Sequence, residues 1–299
     1  MNKKDYFQCV PNFSEGRSVE TIEEIAYSIR TTPEAELRDY SADYDHNRSV
    51  MTILGDARSI EAAALSAAKI AVERIDLRIH FGVHPRVGAI DVMPVIPLYE
   101  TSKESAVQLA DRIARLIGDD LKVPVFLYEW NAHPGGKSAL PELRKGGFEA
   151  LSQAGFWANT EPDFGPKFIH PSAGITIIGA RGPLVAYNIN FSLEDRGEEA
   201  AREIAKNIRR ERLTNPNLTG VRALGLTLHS RSLAQISMNL TQPELTSLPK
   251  VYRYIQKELE KYGITQIESE VIGVIPGHSL GGESPDAIQW KHYKTCQIL

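Results

Sequence analysis

His80 and His84 bracket Phe81-Gly82-Val83, a spacing that on a helix would bring two imidazoles to one face and hold zinc. Gly82 and Pro85 argue against a helix here. No cysteine or second histidine pair lies near in sequence, so no metal is expected. His80 to Gly88 reads instead as a loop shaped by glycine and proline, the kind of segment on which a rigid scaffold presents reactive side chains. An imidazole in such a loop is suited to moving protons near neutral pH.

Gly277-His278-Ser279-Leu280-Gly281-Gly282 has the G-x-S-x-G spacing of a hydrolase nucleophile turn. That chemistry needs an acid and then a histidine on loops after later strands. The short remainder of the chain offers Glu283, Asp286 and His292 without room for such a sheet. A glycine-rich turn closing the last strand is the plainer reading. Asp39-Tyr40-Ser41-Ala42-Asp43-Tyr44-Asp45-His46-Asn47-Arg48 gathers carboxylates, a histidine and an arginine between two strands. It lacks the glycine and terminal glutamate of a calcium loop, which leaves a polar-ligand site or a solvated hairpin. Asp163-Phe164-Gly165-Pro166-Lys167-Phe168-Ile169-His170-Pro171-Ser172-Ala173-Gly174 interleaves aromatic, basic and glycine residues. Such a loop offers apolar faces and backbone donors to a heteroaromatic ligand, or serves as an interdomain linker.

The elements that must position these segments follow from periodicity. Tyr6 to Pro11 reads as a strand and Ser18 to Arg30 as a helix with Ile22, Ile25, Ala26 and Ile29 on one face. Strands Glu36 to Ser41 and Ser49 to Leu54, an Ala-rich helix Ser59 to Ile75 and a strand Ala89 to Ile96 complete a β-α-β-β-α-β order. Pro94 argues that this last strand is an edge or carries a bulge. The second half repeats the order with Leu184 to Asn190, Leu193 to Arg210, Val221 to Leu228, Leu233 to Asn239, Pro243 to Tyr262 and Thr265 to Val274. Between them lie a helix, Glu104 to Ile117, a strand, Val123 to Tyr128, and a loop, His133-Pro134-Gly135-Gly136-Lys137. The expected class is α+β: two tandem ferredoxin-like subdomains, 1–175 and 176–299, facing across a substrate cleft.

The 299 residues carry a net charge of −4, with 42% hydrophobic and 24% charged residues, which suits an ordinary globular chain with two medium cores. Cys9 and Cys296 provide neither a disulfide scaffold nor a thiolate zinc site. Together with an amino end that lacks a signal-peptide apolar run, they point to the cytoplasm. No stretch reaches the roughly 18 apolar residues of a membrane span. The terminal Cys296-Gln297-Ile298-Leu299 is a poor prenylation box. The lack of a membrane-span stretch argues against a membrane partner and the negative balance against nucleic acid, while a small anionic ligand needs only a local basic cluster.

Several of these segments resemble the formiminotransferase family, in one order over nearly the whole chain. They are Cys9-Val10-Pro11-Asn12-Phe13-Ser14-Glu15-Gly16-Arg17, Asn47-Arg48-Ser49-Val50, His84-Pro85-Arg86-Val87-Gly88-Ala89-Ile90-Asp91-Val92 and Val123-Pro124-Val125-Phe126-Leu127-Tyr128. Pro171-Ser172-Ala173-Gly174-Ile175-Thr176, Gly179-Ala180-Arg181, Ala186-Tyr187-Asn188-Ile189-Asn190 and Leu233-Ala234-Gln235-Ile236-Ser237-Met238-Asn239-Leu240 follow. The resemblance implies a homodimer of paired ferredoxin-like subdomains. The implied reaction moves the formimino group of N-formimidoyl-L-glutamate to N5 of tetrahydrofolate, the folate route of histidine breakdown.

By the same analogy His84 occupies the catalytic position, Gly165 to Gly174 contact folate, and tetrahydrofolate is a co-substrate with no metal. Chemistry then suggests Asp39 or Asp43 as the carboxylate favouring a protonated amidine, and Asn47, Arg48 and Arg86 as binding groups for the substrate carboxylates. Val83 stands where many family members carry Glu. Formyl exchange between 5-formyltetrahydrofolate and glutamate, or silent folate binding, are the alternative activities.

Overall fold

The structure, a computed structural model, describes residues 5–134, 139–151, 153, 161–194 and 196–299. Gly135, Gly136 and Lys137 of the Pro/Gly-rich loop lie outside the described residues. Contacts divide the chain into two units, Met1–Gly182 and Pro183–Leu299.

In the first unit, β1 (Tyr6–Cys9) and β2 (Asn12–Phe13) are two pieces of one extended run lying between β4 (Arg48–Gly55) and β5 (Ile90–Leu98). All four pairings are antiparallel, and β3 (Glu36–Asp43) adds to the far side of β4. On the other side of β5 the sheet continues in parallel with β7 (Thr176–Ala180) and then β6 (Val125–Leu127). β5 is therefore an interior strand, contrary to the edge position its proline suggested. Pro94 sits opposite the break between β1 and β2, where its carbonyl accepts from Val10 N at 3.1 Å and Val10 O accepts from Asn12 Nδ2 at 2.7 Å in place of the donor that proline lacks.

Three helices cover one face of this sheet: α1 (Val19–Arg30), α2 (Ala57–Arg74) and α3 (Lys103–Leu121). Each starts on a side-chain cap. Ser18 Oγ accepts from Thr21 N, Asp56 Oδ1 from Ser59 N and Ser102 Oγ from Ser105 N. The buried stripe of α2 is Ala63, Ala64, Ala67, Ala68 and Ala71, so α1 and α3 can both pack closely on it. Together they enclose Phe7, Phe13, Met51, Ile53, Met93 and Ile178 of the strands.

Strand alternation turns a different set to the opposite face. Near β5, β6 and β7 that face carries a small apolar cluster of Val87, Val92, Phe126, Tyr128, Ile175 and Ile177. Leu140 and Leu143 of α4 (Leu140–Leu143) and Leu151 of α5 (Gly147–Leu151) pack with it. Near β3 and β4 it is polar. Asp39 lies opposite Thr52 and Asp43 opposite Arg48 in the β3–β4 register.

The second unit is a four-stranded antiparallel sheet in the order β11 (Ile267–Ile272), β8 (Val185–Ser192), β10 (Leu233–Leu240), β9 (Val221–Leu228). α6 (Gly197–Glu211) and α7 (Leu248–Glu260) bury Ile204, Ile208, Val251 and Ile255 against Tyr187, Ile189 and Ile236. Two sheets and seven α-helices among the described residues make a mixed α+β chain. No helix among them is long and apolar enough to cross a membrane.

Candidate active site

The loop from Asp76 to Ala89 joins α2 to β5 and is held at nearly every second residue. Leu77 N donates to Ser172 O, Val83 N to Asp45 O, and Ala89 N to Ala173 O, at 2.9, 3.0 and 2.9 Å. Backbone approach is closest at two glycines. A Cβ on Gly82 would lie 2.2 Å from His46 O, and one on Gly88 1.8 Å from Ile175 O. Ile79, Phe81 and Val83 point outward, while His80 is 7% exposed.

Asn47 ties this loop to two others. In the left-handed region with φ 47°, it accepts at Oδ1 from Gly16 N and donates from Nδ2 to Phe81 O, each at 2.9 Å. Its carbonyl faces His80 Nε2 at 2.9 Å, and Arg86 Nε donates to His80 Nδ1 at 3.0 Å. His80 is thereby fixed as the neutral tautomer with its proton on Nε2, and burial pulls its pKa below the usual imidazole value.

His84 has the other tautomer. Its Nδ1 donates to the Pro85 carbonyl at 2.8 Å, which leaves the Nε2 lone pair facing Arg48 Nη1 at 2.5 Å. Burial first, then the charges of Arg48 and Arg144 and the neighbouring His46, push its pKa well below the ordinary value. The ring of His46 stands 5.8 Å from that of His84, centroid to centroid. Burial, with Arg144 adding to it and Asp91 opposing, also lowers Arg48, to about 10, so the guanidinium stays charged near neutrality.

The other two arginines here are neutralised. Arg144, at the end of α4, pairs with Asp91, which is 1% exposed and also accepts from Val87 N at 2.8 Å. Arg86 reaches Glu149 of α5 through both terminal nitrogens, at 3.0 and 2.7 Å. Arg48 has no carboxylate at ion-pair distance among the described residues, and its buried Nε has no partner there. Arg48 thus directs a positive group at a neutral imidazole, with Asp43 opposite it in the strand register but no ion pair between them.

The remaining expected residues are placed as follows. Asp39 is buried on β3, and Asp43 accepts from His46 N at 2.7 Å, closing the turn that carries His46 and Asn47. In the Gly165–Gly174 segment, His170 Nδ1 accepts from Ala173 N at 3.0 Å, and His170 and Gly174 exchange backbone hydrogen bonds of 3.1 and 3.0 Å. Pro171 heads that turn, and Ser172 and Ala173 accept from the two ends of the His84 loop. Pro166 is half-buried, and Lys167 and Phe168 project outward, Phe168 at 64% exposure and Lys167 in an ion pair with Glu161. Ile169 is partly buried against the sheet. His84 and the Ser172–Gly174 end are thus held on neighbouring backbone.

The formiminotransferase domain, N-terminal subdomain, matches residues 6–181, and the formiminotransferase domain matches residues 186–283. The chain belongs to the formiminotransferase family. A glutamate formimidoyltransferase of Streptococcus pyogenes serotype M1 is 39% identical over 91% of this chain and 90% of its own length. One of Thermoplasma acidophilum is 38% identical over 98% and 95%. A formimidoyltransferase-cyclodeaminase of Rattus norvegicus is 38% identical over 90% of this chain, which spans only 50% of that longer protein.

Within this formiminotransferase pair, nothing in the sequence pointed to Arg144 and Glu149, and Asp91, His46 and His80 were marked only as members of candidate segments, without the partners they have here. Asp91 carried a signal, a charge inside an otherwise apolar strand, where burial demands a partner. Arg144 and Glu149 carried none, because they sit in a short polar stretch whose position depends on the tertiary fold. Ser279 is fully buried on a 3-10 turn, its Oγ without a partner among the described residues, so it cannot serve as an exposed nucleophile. No group of three or more metal-ligating side chains occurs among the described residues.

Proposed function

We propose that this chain transfers the formimidoyl group of N-formimidoyl-L-glutamate to N5 of tetrahydrofolate, with His84 carrying the proton. The observation that supports it is the paired tautomer assignment at His84: Nδ1–H fixed on Pro85 O, Nε2 left as the basic nitrogen. The N5 lone pair attacks the formimidoyl carbon and the new C–N bond forms while the N5 proton passes to Nε2. The bond from that carbon to the glutamate nitrogen then breaks, and the imidazolium returns the proton to the departing amine. A lowered pKa keeps His84 neutral at pH 7 before the reaction and makes its protonated form a ready donor afterwards.

Arg48 is the receptor for a substrate carboxylate, since it is the uncompensated cation beside the base. Asp39 and Asp43 share its sheet face and balance the charge of a protonated amidine. The Gly165–Gly174 segment takes folate, with Phe168 offering an apolar face to the pterin. Both units are read as ferredoxin-like, supported by the shared antiparallel order of fourth, first, third and second strand in β5, β1/β2, β4, β3 and in β11, β8, β10, β9. A homodimer accompanies this reading, and sedimentation should show twice the mass of one chain.

The test is direct. Purified protein should consume N-formimidoylglutamate only with tetrahydrofolate present. Folate binding without transfer, or transfer only from 5-formyltetrahydrofolate to glutamate, would replace this assignment.

A further inference from the structure

Arg48 does two incompatible things. As the uncompensated cation it suits an anionic substrate, yet its Nη1 is bound to the lone pair that His84 needs to accept a proton. Arg144 repels it; Asp91 is occupied by Arg144 and Val87 N, and Asp43, opposite it in the strand register, accepts from His46 N and makes no ion pair with it. Its buried Nε lacks an acceptor among the described residues. A guanidinium whose one side-chain contact among the described residues is an imidazole, with an unmet donor, will exchange that contact for a carboxylate, which offers opposite charge and two acceptor oxygens to its planar fork.

We propose that Arg48 is a substrate-released cap on His84: arrival of a glutamate carboxylate draws the guanidinium off Nε2 and frees the base only when the substrate is in place. Without substrate the base is masked, so solvent protons and adventitious electrophiles meet an engaged nitrogen. With substrate, one displacement both binds the anion and switches on the proton acceptor. The inference rests on the reading of His84 as the base. It makes Arg48 a positioning residue for that base as well as a carboxylate receptor.

The test is a titration of the full-length protein with glutarate, a five-carbon dicarboxylate without the reacting group, read by nitrogen-15 NMR of the imidazoles. His84 is assigned through His84→Gln, and binding is followed by calorimetry. The groups that bear on the His84 resonance are Arg48 on β4, His46 on the β3–β4 turn, Arg144 after α4 and the Pro85 carbonyl. Glutarate should move the His84 Nε2 resonance downfield at pH 8, as loss of a donated hydrogen bond requires. It should also raise the His84 titration midpoint by about one pH unit.

Arg48→Met should show the uncapped resonance without glutarate and no response to it. Arg48→Lys, which preserves the charge, covers the case in which the methionine variant fails to fold, and should weaken glutarate about tenfold while keeping the response. Glutarate binding with an unmoved His84 resonance overturns the proposal, as does absence of glutarate binding or a wild-type response in Arg48→Met. Retained turnover in a His84 variant would instead remove the base assignment, and the titration would still report whether the cap exists.

Discussion

Asp91 and Arg144 form a buried ion pair that joins the start of β5 to the end of α4, and the second Asp91 oxygen holds Val87 N in the loop that carries His84. Two segments far apart in sequence therefore fix the loop that carries His84. Removing one partner leaves a charge in the interior, which typically costs about 3–5 kcal/mol. Arg144→Ala should lower stability by that order in urea unfolding, and Asp91→Asn should do so by less. The double variant should be less destabilised than the sum of the two. Additive losses would show that the pair is not coupled.

His80 should matter for stability more than for chemistry. It joins Asn47 O to Arg86, and His80→Ala leaves both without that partner. A loss of about 2 kcal/mol is expected by urea unfolding. Because the loop then loosens, kcat should fall as well, while the acid limb of the pH profile remains in place because His84 still titrates. A displaced limb would move the essential imidazole to His80.

The histidines also set a pH dependence of folding. His80, His84 and His170 all have folded pKa values pulled below 6.5, with burial the largest cause in each. Protons therefore bind the unfolded chain more readily, and the stabilisation is present above about pH 6.5 and is lost as pH falls toward the folded values. Urea midpoints should decline between pH 7 and 5, with the unfolding free energy falling by at most about 1.4 kcal/mol per pH unit for each group. His84→Gln should flatten the slope. An unchanged or rising midpoint in that window contradicts the assignment of neutral buried imidazoles.

Gly88→Ala should be poorly tolerated, since the added Cβ would lie 1.8 Å from Ile175 O and push apart the His84 loop and the strand entry of β7. A thermal melt should show a loss above about 2 kcal/mol. Ser279→Ala is the contrasting substitution. It removes a buried hydroxyl that has no partner among the described residues, so stability should stay within about 1 kcal/mol and transfer activity should be unchanged. Loss of turnover in that variant would reopen the G-x-S-x-G reading.

The helices and most strands were legible because their apolar periodicity is strong and their caps, Ser18 and Ser102, are conventional. Of the two alternatives Pro94 raised, the edge position fails because β5 is paired on both sides, while an irregularity does occur in its pairing with β2, where the register shifts between Asn12 and Phe13. β7 was missed since Thr176–Ala180 is a short apolar run beside a loop, and only parallel pairing with β5 and β6 makes it a strand. His84 and Arg48 were legible as residue types and by family resemblance. Their contact was not, because it depends on the β3–β4 register and on a loop pinned by Arg144 and Glu149.

The proposed transfer depends on His84 as the proton carrier. The deciding measurement is single-turnover transfer from N-formimidoyl-L-glutamate to tetrahydrofolate by wild type and His84→Ala, alongside folate affinity for both. Loss of about a hundredfold or more in the transfer rate, with folate affinity within about twofold, is the predicted result. Transfer at the wild-type rate by His84→Ala would contradict it.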